Sequence, residues 1–572
     1  MAWKDDYQRW KEFKELDPDL RQQLDELSSN ETRLEEAFYK PLTFGTGGMR
    51  GELGPGINRM NIYTIRKAAE GLAKYIENQG EEAKKQGVVV AHDSRHQSPE
   101  FSLEVAKVMG AHGIKTYLFT SLRPTPVLSF SVRHLGTAAG VVITASHNPP
   151  EYNGFKVYNE DGGQVPPAQA ESIVEEVNAV DNELAIEIVE QSELEEKGLL
   201  QWMDDAVDEA YLSHLKSITL NPDVIQSQAD DLKIVFTPLH GTAYQFVKEG
   251  LDQLGFHQVT IVEEQAKPDP EFSTVDSPNP EEHQAFTLAI EYGKKENADI
   301  LIGTDPDADR LGVAVRGSDG EYTVLTGNQL GSLMLDYILA NKTPLPDNGI
   351  MIKTIVTSEL GRAVAAYYGV DTLDTLTGFK FIGEKILEFE KTGAHQFLFG
   401  YEESYGYLIS DFARDKDAVQ AAMMAAELAA YWKSKGKTLF DALDEIYQRH
   451  GYYLEDLHSI TLKGISGTEQ IEQMMADFRE HPLEKAGDLK VQAVEDYATS
   501  ERTYLADRSV ETIDLPKSNV VKFLLEDDCW CCLRPSGTEP KIKFYFGVRG
   551  ATREESEQRL EQVKDAVLKR VE

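Results

Sequence analysis

The chain has 572 residues, which at roughly 150 residues per domain predicts about four domains. Hydrophobic residues make up 41% and charged residues 27%, ordinary globular usage that excludes a disordered or collagen-like chain. Acidic residues number 97 against 58 basic, a net charge of -39 that argues against a nucleic-acid or anionic-membrane binder. In so acidic a chain, any local gathering of basic groups is informative.

Only three cysteines occur, Cys529, Cys531 and Cys532. Their spacing makes neither a disulfide framework nor paired CxxC units, so they read as reduced strand residues. The N-terminus is charged throughout and lacks a signal-peptide apolar region, and no stretch approaches 18 apolar residues. The expectation is a cytoplasmic protein with no membrane and no nucleic-acid partner.

Residues 1–38 read as helical and polar, with Pro41 ending the segment. A Gly-rich loop follows at 44–51. Apolar runs then alternate with helical patterns: Val88 to Ala91 before His92-Asp-Ser-Arg95, and Gly140 to Thr144 before Ala145-Ser-His-Asn-Pro149. An acidic helical stretch is predicted over about 167–216. The pattern restarts with strands at 233–237, 298–303 and 311–315. A helix is predicted over 327–341, a strand at 349–353 and a helical run over 416–449. From about 452 the alternation increases, and a basic loop is read at 534–543. Strands alternating with helices mean α/β units with mostly parallel sheets. Met and aromatic residues within 421–432 read as helix core.

Four stretches have the residue types for chemistry. In Thr144-Ala-Ser-His-Asn-Pro149, a hydroxyl follows an apolar strand, where α/β proteins place ligands. Ser146 is a candidate nucleophile or phosphate carrier beside His147, or else a plain turn serine. Asp305-Pro-Asp-Ala-Asp309 puts three carboxylates at alternate positions, suited to one hard cation. A solvated acidic loop and an aspartyl-phosphate phosphatase loop are the competing readings. An EF-hand is excluded, because Arg310 and Arg316 stand where it needs Gly and Glu. Gly400-Tyr-Glu-Glu-Ser-Tyr-Gly406 reads as a Gly-bounded turn whose carboxylates suit vicinal sugar hydroxyls, or as a helix-starting loop. Arg534-Pro-Ser-Gly-Thr-Glu-Pro-Lys541, with Lys543, offers a guanidinium fork, hydroxyls and close backbone approach to a phosphate, or is a tight surface turn. Arg50, Lys156 and Lys380 are basic residues near glycines that could meet a phosphoryl group or simply face solvent. No GxxxxGK[ST], HExxH or GxSxG motif occurs.

In their order along the chain these four loops resemble the α-D-phosphohexomutase family, over about residues 40–548, and most of all its bacterial, glucose 1,6-bisphosphate-dependent branch. The resemblance implies three α/β domains and a smaller C-terminal α+β domain around a central cleft. The boundaries expected are 1–205 for a phosphoserine domain with a helical extension, 206–322 for a metal-binding domain, 323–451 for a sugar-binding domain and 452–572 for a phosphate-binding lid. It implies phosphoglucomutase activity, an isomerase reaction on a small sugar phosphate through a phosphoserine. Phosphopentomutase or phosphomannomutase activity is the alternative, with a phosphatase or a non-catalytic sugar-phosphate binder behind them. It further implies Ser146, His147, Arg50, Lys156 and Lys380 as catalytic residues. Asp305, Asp307 and Asp309, with phosphorylated Ser146, would hold Mg2+. Arg310, Gly378, Glu402, Ser404, Arg534, Ser536, Gly537, Thr538 and Lys543 would bind substrate. Glucose 1,6-bisphosphate would be activator and intermediate, and the protein a monomer or weak homodimer. Tyr401 stands where many relatives have Gly, a variant resembling a branch that also contains phosphopentomutases. His240, in a Pro-Leu-His-Gly-Thr turn also found in the family, receives no chemical role.

Overall fold

The computed structural model describes residues 2–45, 47–462, 465–536 and 541–571, and divides into two compact units. The first contains residues 1–325, 379–397 and 405–438; the second contains 326–378, 398–404 and 439–572.

Two sheets build the first unit. Strands β1 (Gly48–Glu52), β2 (Val88–His92), β3 (Thr116–Phe119), β4 (Ala139–Ile143), β5 (Tyr152–Asn159) and β6 (Leu200–Met203) take the order β1-β5-β4-β2-β3-β6. The central β4-β2-β3-β6 pairs are parallel, while β5 and β1 run antiparallel at one edge. All five residues of β2 and of β4 are buried, as strands covered on both faces require. The second sheet holds β7 (Ile234–Thr237), β8 (Val259–Ile261), β9 (Ile300–Thr304), β10 (Leu311–Arg316) and β11 (Tyr322–Val324), ordered β11-β10-β9-β7-β8. There β9-β7-β8 is parallel and β10 and β11 are antiparallel. In both sheets a chemical loop leaves the C-terminal end of a parallel strand, after β4 and after β9.

Three N-terminal helices, Ala2–Glu12, Pro18–Leu27 and Glu31–Phe38, close a small core of their own. Trp10, Leu20, Leu24, Leu34 and Phe38 pack there against Ile57, Tyr63 and Leu184.

In the second unit, β12 (Gly349–Thr354) pairs in parallel with β13 (Asp371–Thr375), and β14 (Gln396–Glu402) lies on the other side of β12. The short β15 (Gly406–Leu408) belongs to the first unit. The C-terminal sheet contains β16 (Tyr452–Thr461), β17 (Lys485–Ala486), β18 (Leu489–Asp496), β19 (Glu501–Tyr504), β20 (Val510–Thr512), β21 (Val521–Leu525), β22 (Trp530–Pro535) and β23 (Lys541–Gly550). Its order is β16-β23-β22-β21-β18-β19-β20, with β17 on β18. Its pairs are antiparallel. Alternate residues of β18 are buried, the mark of a sheet with one dry face. Cys531 and Cys532 are buried strand residues of β22, and Cys529 is buried just before it.

Four expectations need correction. The stretch 167–216 is not one helix: helices Pro167–Asn178, Gln191–Glu196 and Asp205–Leu215 are separated, and β6 joins the sheet between the last two. Its Glu-rich composition favours helix, but parallel pairing with β3 captures Leu200–Met203. The run 416–449 breaks into Ala418–Ser434 and Leu439–His450, with Gly436 at φ 71 in the gap. The residues 400–402 are strand, so only the Glu403–Tyr405 corner turns. The ends of the basic stretch at 534–543 are strand, Arg534 and Pro535 in β22 and Lys541 to Lys543 in β23.

Candidate active site

The first unit contains the serine and the aspartates. Beyond β4 the chain turns at Thr144, whose hydroxyl accepts from Ser146 N at 2.8 Å. Ser146 is buried and left-handed, at φ 52. For a residue with a Cβ that conformation costs roughly 1–2 kcal/mol and persists only where the surroundings enforce it. It aims Oγ at Asp305, donating to Oδ2 at 2.7 Å, with His147 Nδ1 at 3.2 Å on the other side. Arg50, exposed on β1, donates to Asn148 Oδ1 of the same loop at 2.9 Å.

The aspartates follow β9 in a loop turned by Ala308 at φ 58. Asp305, Asp307 and Asp309 are 0%, 0% and 3% exposed, and a ligand oxygen from each lies within 4.8 Å of the others. Asp305 Oδ1 closes the loop on itself, accepting from Asp309 N at 3.1 Å and Arg310 N at 2.9 Å. Asp307 Oδ2 accepts from Lys156 Nζ at 2.7 Å and Thr125 Oγ1 at 3.1 Å. Asp309 Oδ2 faces Lys416 Nζ at 3.1 Å and Lys156 Nζ at 3.6 Å. Gly241 lets the Pro-Leu-His-Gly-Thr turn back this loop: a Cβ there would lie 2.4 Å from Pro306 Cα, and Thr242 N donates to Pro306 O at 2.8 Å. His240 is held structurally, its ring between Lys267 O and Thr274 Oγ1.

Buried Oδ1 atoms of Asp307 and Asp309 have no hydrogen-bond partner among the described residues. Three carboxylates also outnumber the two lysines that touch them. Orphaned hard oxygens and uncancelled negative charge fit a divalent cation. The protonation equilibria report the same stress. Burial, then Asp307 and Asp309, push Asp305 well above the usual carboxylate range. Burial would raise Asp307 too, but Lys156 and the Asp305 hydrogen bond hold it well below that range. Burial, helped by the Arg310, Arg50 and Lys156 charges, depresses His147 well below an ordinary histidine, which keeps its ring neutral. Burial works against the Lys156 ammonium, yet Asp307 and Asp309 raise its pKa and keep it charged.

Ser146, His147, Lys156 and the three aspartates thus meet in one hydrogen-bonded group, with Arg50 tied to the same loop. Arg310 turns its guanidinium onto Glu281. Lys380 begins the helix Phe379–Thr392 in the same unit, over the Phe381 ring, and burial lowers its pKa against the pull of Glu384. Lys416 was not legible as a site residue. It sits in Arg414-Asp415-Lys416-Asp417, a charge run of the kind that usually faces solvent, yet all four residues are buried. Thr125 carried no signal either.

The second unit holds the sugar-type carboxylates and the basic clamp. Glu402 Oε1 accepts from Gly378 N at 3.0 Å. Glu403 Oε2 accepts from Thr354 Oγ1 at 3.2 Å and Thr357 Oγ1 at 3.1 Å. Ser404 follows, half-buried. Tyr401 points the other way and is fully buried: a Cβ at Gly331 or Gly361 would come within 2.3 Å of its ring or hydroxyl. Tyr401, where the chain departs from the family pattern, therefore packs in the core. Arg534 and Lys543 stand directly opposite each other on β22 and β23, both half-buried. Arg534 Nη1 lies 3.5 Å from the Tyr545 hydroxyl, and Ser536 N donates to Lys541 O at 2.7 Å. Burial and the nearby Glu403 charge raise the Tyr545 phenol, so carboxylate and clamp share one electrostatic neighbourhood. Gly537 and Thr538 lie outside the described residues.

Comparison with known proteins places the whole chain. Family models for phosphoglucomutase/phosphomannomutase α/β/α domains I, II and III match residues 41–184, 209–319 and 326–450. The chain is 43% identical over 515 residues to a phosphoglucomutase of Staphylococcus aureus strain MRSA252, covering 90% of this chain and 91% of that one. The N315 strain's phosphoglucomutase is 42% identical over the same span. In fold the chain is similar to the open form of Paramecium pp63/parafusin (TM-score 0.69, 17% identity, 93% of this chain and 95% of that one). It is also similar to a Burkholderia thailandensis phosphoglucomutase/phosphomannomutase family protein (TM-score 0.65, 20% identity, 92% and 97%). Three α/β domains in series, a further C-terminal sheet domain and a curated relative matched over nine-tenths of the chain make this protein a member of the phosphoglucomutase/phosphomannomutase family of α-D-phosphohexomutases.

Proposed function

We propose that the chain is a phosphoglucomutase, interconverting α-D-glucose 1-phosphate and D-glucose 6-phosphate. Its similarity to curated phosphoglucomutases supports this over most of its length. The single observation that carries the chemistry is the Ser146 hydroxyl 2.7 Å from the buried Asp305 of the aspartate group.

Asp305, Asp307 and Asp309, with an oxygen of phosphorylated Ser146, would hold Mg2+, which when bound supplies positive charge for the oxygens of the moving phosphoryl group. Ser146 carries that group between turnovers. Its O–P bond breaks while the free hydroxyl oxygen of a hexose monophosphate bonds to phosphorus. The hydroxyl proton passes to a base of the chain, and the serine oxygen takes up a proton. His147 is the neutral acceptor nearest Ser146 Oγ, and Lys156 is a charged donor held by the aspartates. Arg50 and Lys380 add positive charge for the same group, and phosphoryl transfer depends mainly on such positioning and charge. The product of this half is glucose 1,6-bisphosphate. Turned end for end, it returns its other phosphoryl to Ser146; supplied from outside, it primes an unphosphorylated serine. Arg534, Ser536, Gly537, Thr538 and Lys543 take the idle phosphate, and Gly378, Glu402 and Ser404 the sugar hydroxyls. Arg310 contacts substrate on leaving Glu281. The four domains of this assignment are 1–205, 206–322, 323–451 and 452–572.

An aspartyl-phosphate route fits poorly. Asp305 is 0% exposed, its Oδ1 accepts two backbone N–H groups and its Oδ2 accepts from Ser146. The deciding experiment is turnover and intact mass after incubation with glucose 1,6-bisphosphate. The unmutated protein should gain one phosphate that resists hydroxylamine, and Ser146→Ala should lose both that mass and nearly all turnover. Undiminished mutase activity in Ser146→Ala would sink the proposal. Comparing glucose, mannose and ribose 1-phosphates on one preparation tests the sugar: the highest kcat/KM is expected for glucose 1-phosphate.

A further inference from the structure

We infer that Arg95 is a positioning residue for the reactive serine, an inference that rests on Ser146 being the phosphoryl carrier. Arg95 ends the His92-Asp-Ser-Arg95 stretch, which starts at the last residue of β2, and its side chain is 0% exposed. Nη1 donates to Pro149 O at 2.7 Å and Tyr152 O at 3.0 Å. Nη2 donates to Ser146 O at 2.6 Å and also to Asn148 O. A single guanidinium therefore gathers four backbone carbonyls of the seven residues 146–152.

Elsewhere the fork is fixed in place. Nε faces Asp93 Oδ2 at 3.3 Å, while Asp93 Oδ1 accepts from Arg95 N and Ser98 Oγ, each at 2.9 Å. The Phe272 ring covers the guanidinium face, 5.0 Å away. Lysine would bring three donors on a point charge, which cannot reproduce this planar set. Pro149 O keeps a second donor, Tyr152 N at 3.1 Å, but the bond to Ser146 O is buried, and leaving that carbonyl without a donor is costly, so the peptide after Ser146 would shift to find another.

The consequence falls on Ser146. Its φ of 52 is a conformation that its own side chain disfavours, and the bond from Arg95 Nη2 to its carbonyl oxygen holds the peptide that follows. That orientation is what puts Oγ 2.7 Å from Asp305. Among the described residues, no hydrogen bond or ion pair of Arg95 reaches Oγ, so its effect runs through the backbone of the loop, not through the transferring group.

The test uses Arg95→Lys and Arg95→Ala in the full chain. Four quantities are measured: kcat and KM for glucose 1-phosphate, thermal unfolding, and the rate at which glucose 1,6-bisphosphate phosphorylates Ser146, by intact mass. Misplacement of a reacting group by about 1 Å costs on the order of 10²-fold in rate. Arg95→Lys should therefore lose about 100-fold in kcat and in phosphorylation rate, with KM within about threefold of the parent. Guanidinium ion at low millimolar concentration should restore about tenfold of the kcat of Arg95→Ala, which a merely weakened fold would not allow. Should neither variant fold, Asp93→Asn keeps the four carbonyl bonds but loosens the fork, and a kcat loss of about tenfold at unchanged KM is expected. A folded Arg95→Lys with kcat within about threefold of the parent overturns the inference. So does a lost activity in Arg95→Ala that guanidinium leaves unchanged, or an Asp93→Asn of undiminished kcat. A parent protein that never takes phosphate on Ser146 would instead overturn the phosphoserine assignment on which the inference rests.

Discussion

At the scale of single residues, the charge balance around Asp309 leads to the most direct prediction. Asp309 shares Lys416 and Lys156 with its neighbours, and its Oδ1 is buried without a partner among the described residues. Asp309→Asn removes one anionic ligand but keeps the shape. Its affinity for Mg2+ should fall by at least about tenfold, read by calorimetric titration and by the Mg2+ concentration giving half-maximal turnover. An unchanged Mg2+ requirement would mean that the ion binds elsewhere. A chelator should abolish the parent's turnover, and added Mg2+ should restore it. Ser146 and the aspartates were legible because their signals are local: a hydroxyl or a spaced acid triplet just past an apolar strand. Lys416 and Thr125 were not, because they reach the aspartates only through the tertiary fold. Arg95 stood in a conspicuous motif, but nothing in its spacing says that it binds carbonyls 51 to 57 positions away. Tyr401 is the opposite case: it stands within a functional motif, and its ring packs in the core behind it.

At the scale of elements, Asp417 shows how a helix cap becomes a titratable group. It caps the helix Ala418–Ser434, accepting from Val419 N at 3.0 Å and Gln420 N at 2.9 Å, and the Tyr211 hydroxyl donates to it at 2.8 Å. The residue is 0% exposed, and that burial lifts its carboxyl from 3.8 to about 6 despite those donors. A carboxyl raised in the fold binds its proton more tightly there than in the unfolded chain. Its contribution to stability is therefore fully present below pH 3.8 and is lost as pH rises through about 6. Two pKa units correspond to on the order of 3 kcal/mol. Asn also caps helices well, so Asp417→Asn should keep the helix and remove this titration. Thermal unfolding from pH 4 to 8 should show the variant gaining on the parent as pH rises; a constant difference would refute the account. The helix itself was visible as an apolar, Ala-rich run. Its break before Leu439 was missed although its signal was local, since Gly436 in the gap is the usual residue for a left-handed helix stop. The lost strand β6 is the same lesson reversed: pairing with β3 decided what composition did not.

At the scale of the whole molecule, the alternation of strand and helix and the order of the four loops were enough to show three α/β domains and a C-terminal sheet domain. What they could not show is where the chain divides, since the two compact units each draw on several separated segments. The N-terminal helices lie ahead of the first family-model match, which begins at residue 41. They are anchored through Trp10, which is 0% exposed. It packs edge-on against Phe38 and Tyr63 at 5.7 and 5.4 Å and donates Nε1–H to Glu183 at 2.6 Å. Arg9 reaches the same carboxylate at 2.9 Å. Truncating a buried aromatic typically costs about 3–5 kcal/mol, and here it also strips a hydrogen bond from a buried glutamate. Trp10→Ala should therefore loosen the three helices and expose Ile57, Tyr63 and Leu184, which they cover. Limited proteolysis should then cut first within residues 13–17 or 39–45, and the lowest thermal transition should fall. Turnover per folded molecule should stay near that of the parent, since among the described residues Trp10 contacts Glu183, Phe38 and Tyr63 and not the Ser146 group. Loss of kcat in step with the lost helices would mean instead that the extension holds β1, and with it Arg50, in its working place.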